Sequence, residues 1–353
     1  MKHRTIPNTD LSVSTVGFGL WTVATSWWGA ESDQTGIDLL RRAYDLGVTF
    51  FDTADVYGDG KGETMLAEAL GDVRDKIVIG TKFGYDFYKD PDRGGQRERP
   101  QDFSPKFVRF ACEESLRRLG ADYIDIWQIH NPRMPTVQND ELFATLEDLK
   151  SEGKIRHYAA ALGPANGWEA EGLALAHNRE IATLQIIYNM FEQAPGRRLI
   201  EACERDGIAA IIRVPHSSGL LEGKYTPETT FPPNDHRSHR PKEWLIEGLQ
   251  KLDKVMFLAD DTGRTIAQAA IQYCLESPNV VSILPNIYNA EQLEEFAAGA
   301  DVPPLTVDEF ARVAEMYPDN FGVERLDSSS QPSALSSQAS SQRSAPSSQQ
   351  SAV

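Results

Sequence analysis

The sequence predicts one α/β domain, a (β/α)8 barrel of the TIM-barrel class, with a small β-hairpin before it and a disordered tail after it. Three observations carry this expectation. Eight short β-branched or apolar runs alternate with longer amphipathic segments, as βα units on a parallel sheet do. The 353 residues accommodate the about 250 that such a barrel takes before insertions. The first βα turn reads Gly17-Phe18-Gly19-Leu20-Trp21, where an open doubly wound sheet would carry G-x-G-x-x-G.

The elements follow in order. Residues 1–14 alternate polar and apolar side chains around Pro7-Asn8-Thr9-Asp10, which reads as a hairpin. The eight strands are expected at Val16–Gly19, Thr49–Asp52, Ile77–Thr81, Ile124–Ile129, Ile155–Ala161, Thr183–Tyr188, Ala209–Val214 and Val280–Leu284. Helical patterns lie at Asp33–Leu46, Glu63–Leu70, Pro105–Leu119, Asn139–Ser151, Trp168–Ala176, Gly196–Arg205 and Thr265–Glu276. Ser104-Pro105 supplies a cap and a first helical residue, while Gly47, Gly120, Gly153 and Gly207 mark helix ends. Two long insertions, Phe83–Phe103 and Pro215–Pro241, follow strands and belong over the C-terminal rim, where barrel enzymes place their active sites. The barrel is expected over residues 1–326. Residues 327–353 consist mostly of Ser, Gln, Ala and Pro with no aromatic, and cannot bury enough surface to offset their ordering entropy.

Composition narrows the function classes. Hydrophobic residues at 41% and charged residues at 25% are ordinary globular usage. A formal charge of -17 argues against nucleic acid or an anionic membrane as partner, since both would repel it. Cys112, Cys203 and Cys274 lie far apart in helical patterns, fitting neither a zinc knuckle nor a disulfide framework. Together with the lack of a signal peptide or an apolar run of about 20 residues, this reads as a cytoplasmic protein, a monomer or small homo-oligomer.

The chemistry lies at the strand ends. Asp52 ends the second strand, Tyr57 follows in the next loop, Lys82 ends the third strand and His130 the fourth. Consecutive strands of a barrel are neighbours, so these four side chains are expected on one arc of the rim. A tyrosine with a pKa near 10 is a poor acid at neutral pH, but a lysine cation beside it stabilises the phenolate. Asp52 would hold that ammonium in place, and His130 would bond a substrate carbonyl or relay a proton. Taken singly, each residue reads more readily as a cap, a surface ion pair or packing than as a catalytic group; their joint placement favours catalysis. None of them is a redox group, so a cofactor must supply one.

At these residues the sequence also resembles the aldo-keto reductase family. The stretch Gly47-Val-Thr-Phe-Phe-Asp52-Thr-Ala-Asp-Val-Tyr57-Gly, with Glu63 and Ile79-Gly-Thr-Lys82-Phe-Gly after it, is similar to the family's signature, and Leu116 to His130 to the approach to its histidine. The resemblance runs from about Thr5 to Tyr317. It implies NAD(P)(H)-dependent carbonyl reduction, with Tyr57 as acid, Lys82 and Asp52 tuning it, His130 orienting the substrate, and no metal. It further places Gly19, Leu20 and Trp21 beside cofactor and substrate, and Gln185, in Gln185-Ile-Ile-Tyr-Asn189, on the nicotinamide amide. Gly219, Leu221 and Lys224 fall in the loop that straps the pyrophosphate, and Asn286, Asn289, Gln292 and Glu295 in the last cofactor segment. That segment opens a helix, whose N-terminus suits a phosphate; Asn289 with Gln292 also has the spacing of a capping box.

Three positions depart from the family pattern. Gly163-Pro164 replaces the Ser-Asn that grips the carboxamide, with Asn166 as a substitute. Arg213 stands in place of the aromatic residue that stacks on the nicotinamide, and its charge should favour the reduced ring over the oxidised, positively charged one. Tyr288 replaces a basic residue, and a 2′-phosphate needs basic groups, so NADP(H) is favoured by family habit while NAD(H) stays open. His236 and His239 lack a third ligand nearby in sequence and read as exposed loop residues. The loop after Lys82, with Tyr85, Phe87, Tyr88, Arg93, Arg97 and Arg99, suits an aromatic or a polar substrate. The leading expectation is reduction of an aldehyde, ketone or sugar carbonyl. An NAD-dependent sugar dehydrogenase, a cofactor-binding regulatory subunit with weak catalysis, and a Schiff-base aldolase using Lys82 are the alternatives.

Overall fold

A computed structural model describes residues 1–25, 32–89, 98–163, 168–260 and 262–326. The expected disordered tail, and the positions Arg93, Arg97, Pro164 and Asn166, lie outside the described residues.

The N-terminal hairpin pairs β1 (His3–Thr5) with β2 (Ser12–Ser14) in antiparallel register, His3 opposite Ser14. Eight parallel strands follow: β3 (Phe18–Gly19), β4 (Phe50–Asp52), β5 (Val78–Phe83), β6 (Ile124–His130), β7 (Ile155–Ala161), β8 (Thr183–Ile187), β9 (Ala209–Arg213) and β10 (Val280–Leu284). Each pairs with its sequence neighbours. The ring closes where Val16 bridges Ile283, with the Gly17 N–H donating to the Ile283 carbonyl at 2.8 Å and the Ile283 N–H to Thr15 at 2.9 Å. The expected strands and helices appear within a few residues of their predicted bounds.

The core has two layers, as a barrel with helices outside requires. Outward side chains such as Phe51, Ile79, Trp127, Leu184 and Ile212 pack under the helices. Inward side chains Phe50, Val78, Ile126, Ala159, Ala209, Ile211 and Val281 form a separate cluster with Ile6, Leu11 and Val13 of the hairpin, which therefore plugs the N-terminal end of the barrel. Because strand side chains alternate with period two, the same inward columns continue upward to Asp52, Lys82, Gln128, His130, Gln185 and Arg213. The interior is apolar at the plugged end and polar at the rim.

Both insertions rise from the C-terminal rim, after β5 and β9. The second carries short 3-10 turns at Ser217–Glu222 and His236–His239, pinned by Arg237, which donates to Asp235 at 2.6 and 2.8 Å and to the Tyr225 hydroxyl at 2.6 Å. The helices Lys242–Val255 and Val307–Met316 were not expected. The first follows directly on its N-cap, Pro241, at the end of a Pro- and Gly-containing stretch whose composition reads as loop.

Hairpin and barrel are joined at Ser14, which is fully buried. Its hydroxyl donates to the Val16 carbonyl at 2.8 Å and accepts from the Thr49 and Phe50 N–H groups at 3.0 and 3.3 Å, while its own carbonyl accepts from the Ser282 hydroxyl at 2.8 Å. Ser14→Ala leaves a buried N–H unsatisfied and is expected to cost about 1–3 kcal/mol. A urea midpoint unchanged from wild type would show that the plug is not held through this residue.

Candidate active site

The polar rim is built on one pair. The Lys82 Nζ, 1% exposed, is bonded to the Asp52 carboxylate and donates to the Thr53 carbonyl at 2.8 Å. The other Asp52 oxygen accepts from Gln128 Nε2 at 2.7 Å and Gln185 Nε2 at 2.9 Å, so one buried carboxylate collects three side-chain donors from three strands. Gly80 makes room for them: a Cβ there would lie 3.1 Å from Gln128 Nε2 and 3.4 Å from Asp52 Oδ2. Burial alone would push the Lys82 ammonium down, but the Asp52 carboxylate and the Tyr57 phenol outweigh it and hold it above the usual lysine range.

Tyr57 stands over this pair on the turn after β4, with its ring centroid 5.0 Å from Lys82 Nζ and 6.0 Å edge-on from the His130 ring. The four expected residues thus converge, at the ends of β4, β5 and β6. His130 is buried; its burial, and then Lys82 and Arg213, push its pKa well below the ordinary histidine value. It is therefore a neutral ring at physiological pH, suited to bonding a carbonyl oxygen without adding charge. Its Nδ1 is enclosed without a partner, which leaves Nε2 as the nitrogen for a ligand. The rim above it is firm: the Tyr85 ring meets His130 edge-on at 5.0 Å, and the Tyr85 hydroxyl accepts from Asn131 and donates to Glu98, both at 2.8 Å.

The remaining predicted residues surround this arc. Gly19 ends β3, where a Cβ would meet only Leu284 at 3.8 Å, and Trp21 opens a one-turn helix with its ring 5.3 Å from that of His236. The Leu20 and Leu221 side chains are fully buried in the outer core, so only their backbones are available to a ligand. Arg213 ends β9 and donates Nη2 to the Leu162 carbonyl at 2.9 Å. Gln185 has spent its amide hydrogens on Asp52 and on Gln128 Oε1 at 3.2 Å, leaving its own oxygen to accept from a ligand amide.

The strap lies against the last segment. Lys224 pairs with Glu291 at 2.9 Å and Glu295 at 3.9 Å, and Gln292 donates to Glu222 at 2.9 Å. Gly219 is held at φ +96, with the Tyr225 hydroxyl 2.1 Å from where a Cβ would sit. Asn289 caps the helix Ala290–Ala298 by accepting from the Gln292 N–H at 2.9 Å; Gln292 turns its oxygen to the Tyr288 N–H, so the box is only half formed. Asn286 lies two residues beyond the end of β10, after Pro285. A helix N-terminus facing a glycine turn and a lysine is a fitting set of donors for a dinucleotide phosphate.

His236 is half-buried rather than exposed, because its ring packs on Trp21 and, at 4.9 Å, on His239. Among the described residues no group of three His, Cys, Asp or Glu could hold a metal ion, and no helix is long and apolar enough to cross a membrane. Cys112, Cys203 and Cys274 are buried thiols without disulfides.

Gln128 was missed from the sequence, although its place two residues before His130 puts it on the same inward face. Asp55 and Glu63 form a second buried layer behind Lys82. Glu63 accepts from Thr81 and Arg118 at 2.6 Å each, whereas both Asp55 oxygens lack partners and its carboxyl is pushed well up by burial and by Glu63.

Residues 15–318 match the model of the aldo/keto reductase family. The chain is similar to the aldo-keto reductase YhdN of Bacillus subtilis, 29% identical over 83% of this chain and 87% of that one. It is also similar to the NADH-specific methylglyoxal reductase of Escherichia coli, 29% identical over 86% and 94% of the two chains. The structure of the glycerol dehydrogenase AKR11B4 from Gluconobacter oxydans superposes with a TM-score of 0.77 at 26% identity, covering 92% of this chain and 98% of that one.

Asp52→Asn strips the counter-charge from a buried ammonium, an expected loss of about 3–5 kcal/mol at neutral pH. Without Asp52, burial lowers the folded lysine below its unfolded value of about 10.4, so the unfolded chain binds the extra proton and stability rises with pH towards that value. In the wild type the folded value is raised, so the pair's contribution is complete below about pH 10.4 and fades above it. Urea midpoints of the two proteins that ran parallel between pH 7 and 10 would rule this out.

Proposed function

The chain belongs to the aldo-keto reductase family, NAD(P)-dependent oxidoreductases built on this barrel, and we propose that it reduces the carbonyl of a small aldehyde, ketone or sugar. The observation that carries the reading is the convergence of Tyr57, Lys82, Asp52 and His130 on one arc of the rim. The nicotinamide, when bound, supplies the hydride. Tyr57 gives the proton to the carbonyl oxygen, and the Lys82 ammonium stabilises the phenolate that remains. Asp52, held in turn by Gln128 and Gln185, keeps that ammonium charged and in place. His130, neutral, orients the carbonyl from its Nε2 side. Gly19, Trp21, Gln185 and Arg213 line the nicotinamide end; Gly219, Lys224, Asn286, Asn289, Gln292 and Glu295 serve the phosphates and adenosine. The relative named a methylglyoxal reductase supports a small polar carbonyl as substrate. The neighbour named a glycerol dehydrogenase supports, as a second reading, the oxidative direction on a polyol or sugar.

The family habit favours NADPH. Two features keep NADH open: Tyr288 stands where a basic residue would read the 2′-phosphate, and Lys224 already faces Glu291 and Glu295. The relative named NADH-specific agrees with that alternative.

Nicotinamide absorbance during turnover, with NADPH and NADH in parallel against aldehydes, ketones and sugars, is the direct test. Tyr57→Phe should lower kcat by about 10²–10⁴-fold while leaving nucleotide binding in place. The wild-type rate should show no inflection near pH 6.5, because the His130 proton is lost well below it. A Tyr57→Phe enzyme as active as wild type would defeat the assignment.

Tyr288→Arg should raise affinity for NADPH relative to NADH by about tenfold, the worth of one charge-assisted hydrogen bond. An unchanged ratio in equilibrium titrations would mean that the position does not read the phosphate.

A further inference from the structure

Tyr57 stands on a turn that its own sequence does little to hold. The three residues after it, Gly58, Asp59 and Gly60, take left-handed backbone with φ of +58, +56 and +95. Two are the residue with the most backbone freedom, and the third occupies a region that L side chains seldom adopt. The turn is gripped from outside. Arg99, in the insertion after β5, donates Nη1 to Asp59 Oδ1 at 2.5 Å and Nη2 to Asp59 Oδ2 at 3.0 Å, a fork on a carboxylate. Its side chain is 6% exposed and, among the described residues, it donates to no other group; the buried Phe87 ring lies 5.8 Å from its guanidinium. Two positions on, Gln101 Nε2 donates to the His130 carbonyl at 2.8 Å and to that of Asn131 at 3.3 Å, and Gln101 bridges Tyr85, whose ring meets His130. One short stretch, residues 99–101, therefore holds both the turn that carries Tyr57 and the strand end that carries His130.

An exposed ion pair contributes little, but a forked one whose cation is buried fixes geometry as well as charge. If the pair served only to fasten the insertion, any point on the surface would do; it is attached two residues from the proton donor. We propose that Arg99 is a positioning residue for Tyr57: by holding Asp59 it sets the place of the phenol relative to the carbonyl site that His130 defines. This rests on the reductase reading above. Arg99 takes no part in the transfer itself. The proton still passes from the Tyr57 hydroxyl to the carbonyl oxygen, and Arg99 acts on it only through the backbone of residues 57–59. A displacement of about 1 Å at the donor is enough to cost roughly 100-fold in rate, so a clamp this close to it is a catalytic asset even though it touches no reacting atom.

The test follows single-turnover oxidation of NADPH and NADH by methylglyoxal and glyceraldehyde in the full chain, beside hydrogen–deuterium exchange of the peptide spanning residues 54–62, which reads the grip without turnover. Arg99→Ala should lower the single-turnover rate by about 10–100-fold, leave the KM for the carbonyl and the Kd for the nucleotide nearly unchanged, and have little further effect in a Tyr57→Phe background. Asp59→Gly removes the carboxylate and leaves a residue at ease at this φ, so it should match Arg99→Ala, and the two together should lose no more than either alone. Arg99→Lys, which keeps the charge without the fork, should recover part of the rate. Exchange over residues 54–62 should quicken in Arg99→Ala while β8 and β9 exchange as in wild type. A wild-type rate in Arg99→Ala, losses that add with Asp59→Gly, or an equal loss in the Tyr57→Phe background would overturn the proposal. A loss confined to the KM for the carbonyl would also overturn it, and would mark Arg99 as a substrate contact; faster exchange throughout the barrel would overturn it in favour of a role in folding. Unchanged exchange at residues 54–62 would overturn it whether or not the chain is a reductase. No reduction of any carbonyl by wild type, with exchange altered as expected, would instead refute the reductase reading and with it the catalytic role, the clamp alone surviving.

Discussion

The Asp52–Lys82 pair is the constraint on which the rest of the rim depends. A buried ammonium is tolerated only while a carboxylate holds it, and a buried carboxylate only while its oxygens are bonded. Here those demands recruit Gln128 from β6 and Gln185 from β8, tying β4, β5, β6 and β8 into one polar layer. The layer fixes where Nζ sits, and in the proposed mechanism Nζ sets how readily Tyr57 gives up its proton. Buried pairs of this kind often add little to the stability of a fold over apolar side chains of similar volume; the position of this one under a tyrosine is what the proposed function uses.

The barrel affords this layer because its two ends are built differently. At the N-terminal end the hairpin inserts Ile6, Leu11 and Val13 and excludes water, so inward positions there can be apolar and closely packed. At the rim the same columns carry polar groups, which bond one another. A concavity at the plugged end, lined by Tyr123, Lys150, Arg156 and His157, has no such convergence: Arg156 there is matched by Asp10 and Asp125.

Much of this was legible in the sequence, and the reasons are specific. The strands announced themselves because both faces of a parallel sheet are buried, and Gly47, Gly120, Gly153 and Gly207 adopt the left-handed conformation that their reading as helix ends requires. Asp52, Lys82 and His130 could be placed together because strand order in a barrel is sequence order. What stayed hidden depended on distance in three dimensions. Gln128 reads as any polar strand residue until its partner 76 positions away is known. The orphaned Asp55 needs the packing of Glu63 and Arg118 to become unusual. The helix Lys242–Val255 follows a Pro-rich approach that composition assigns to a loop.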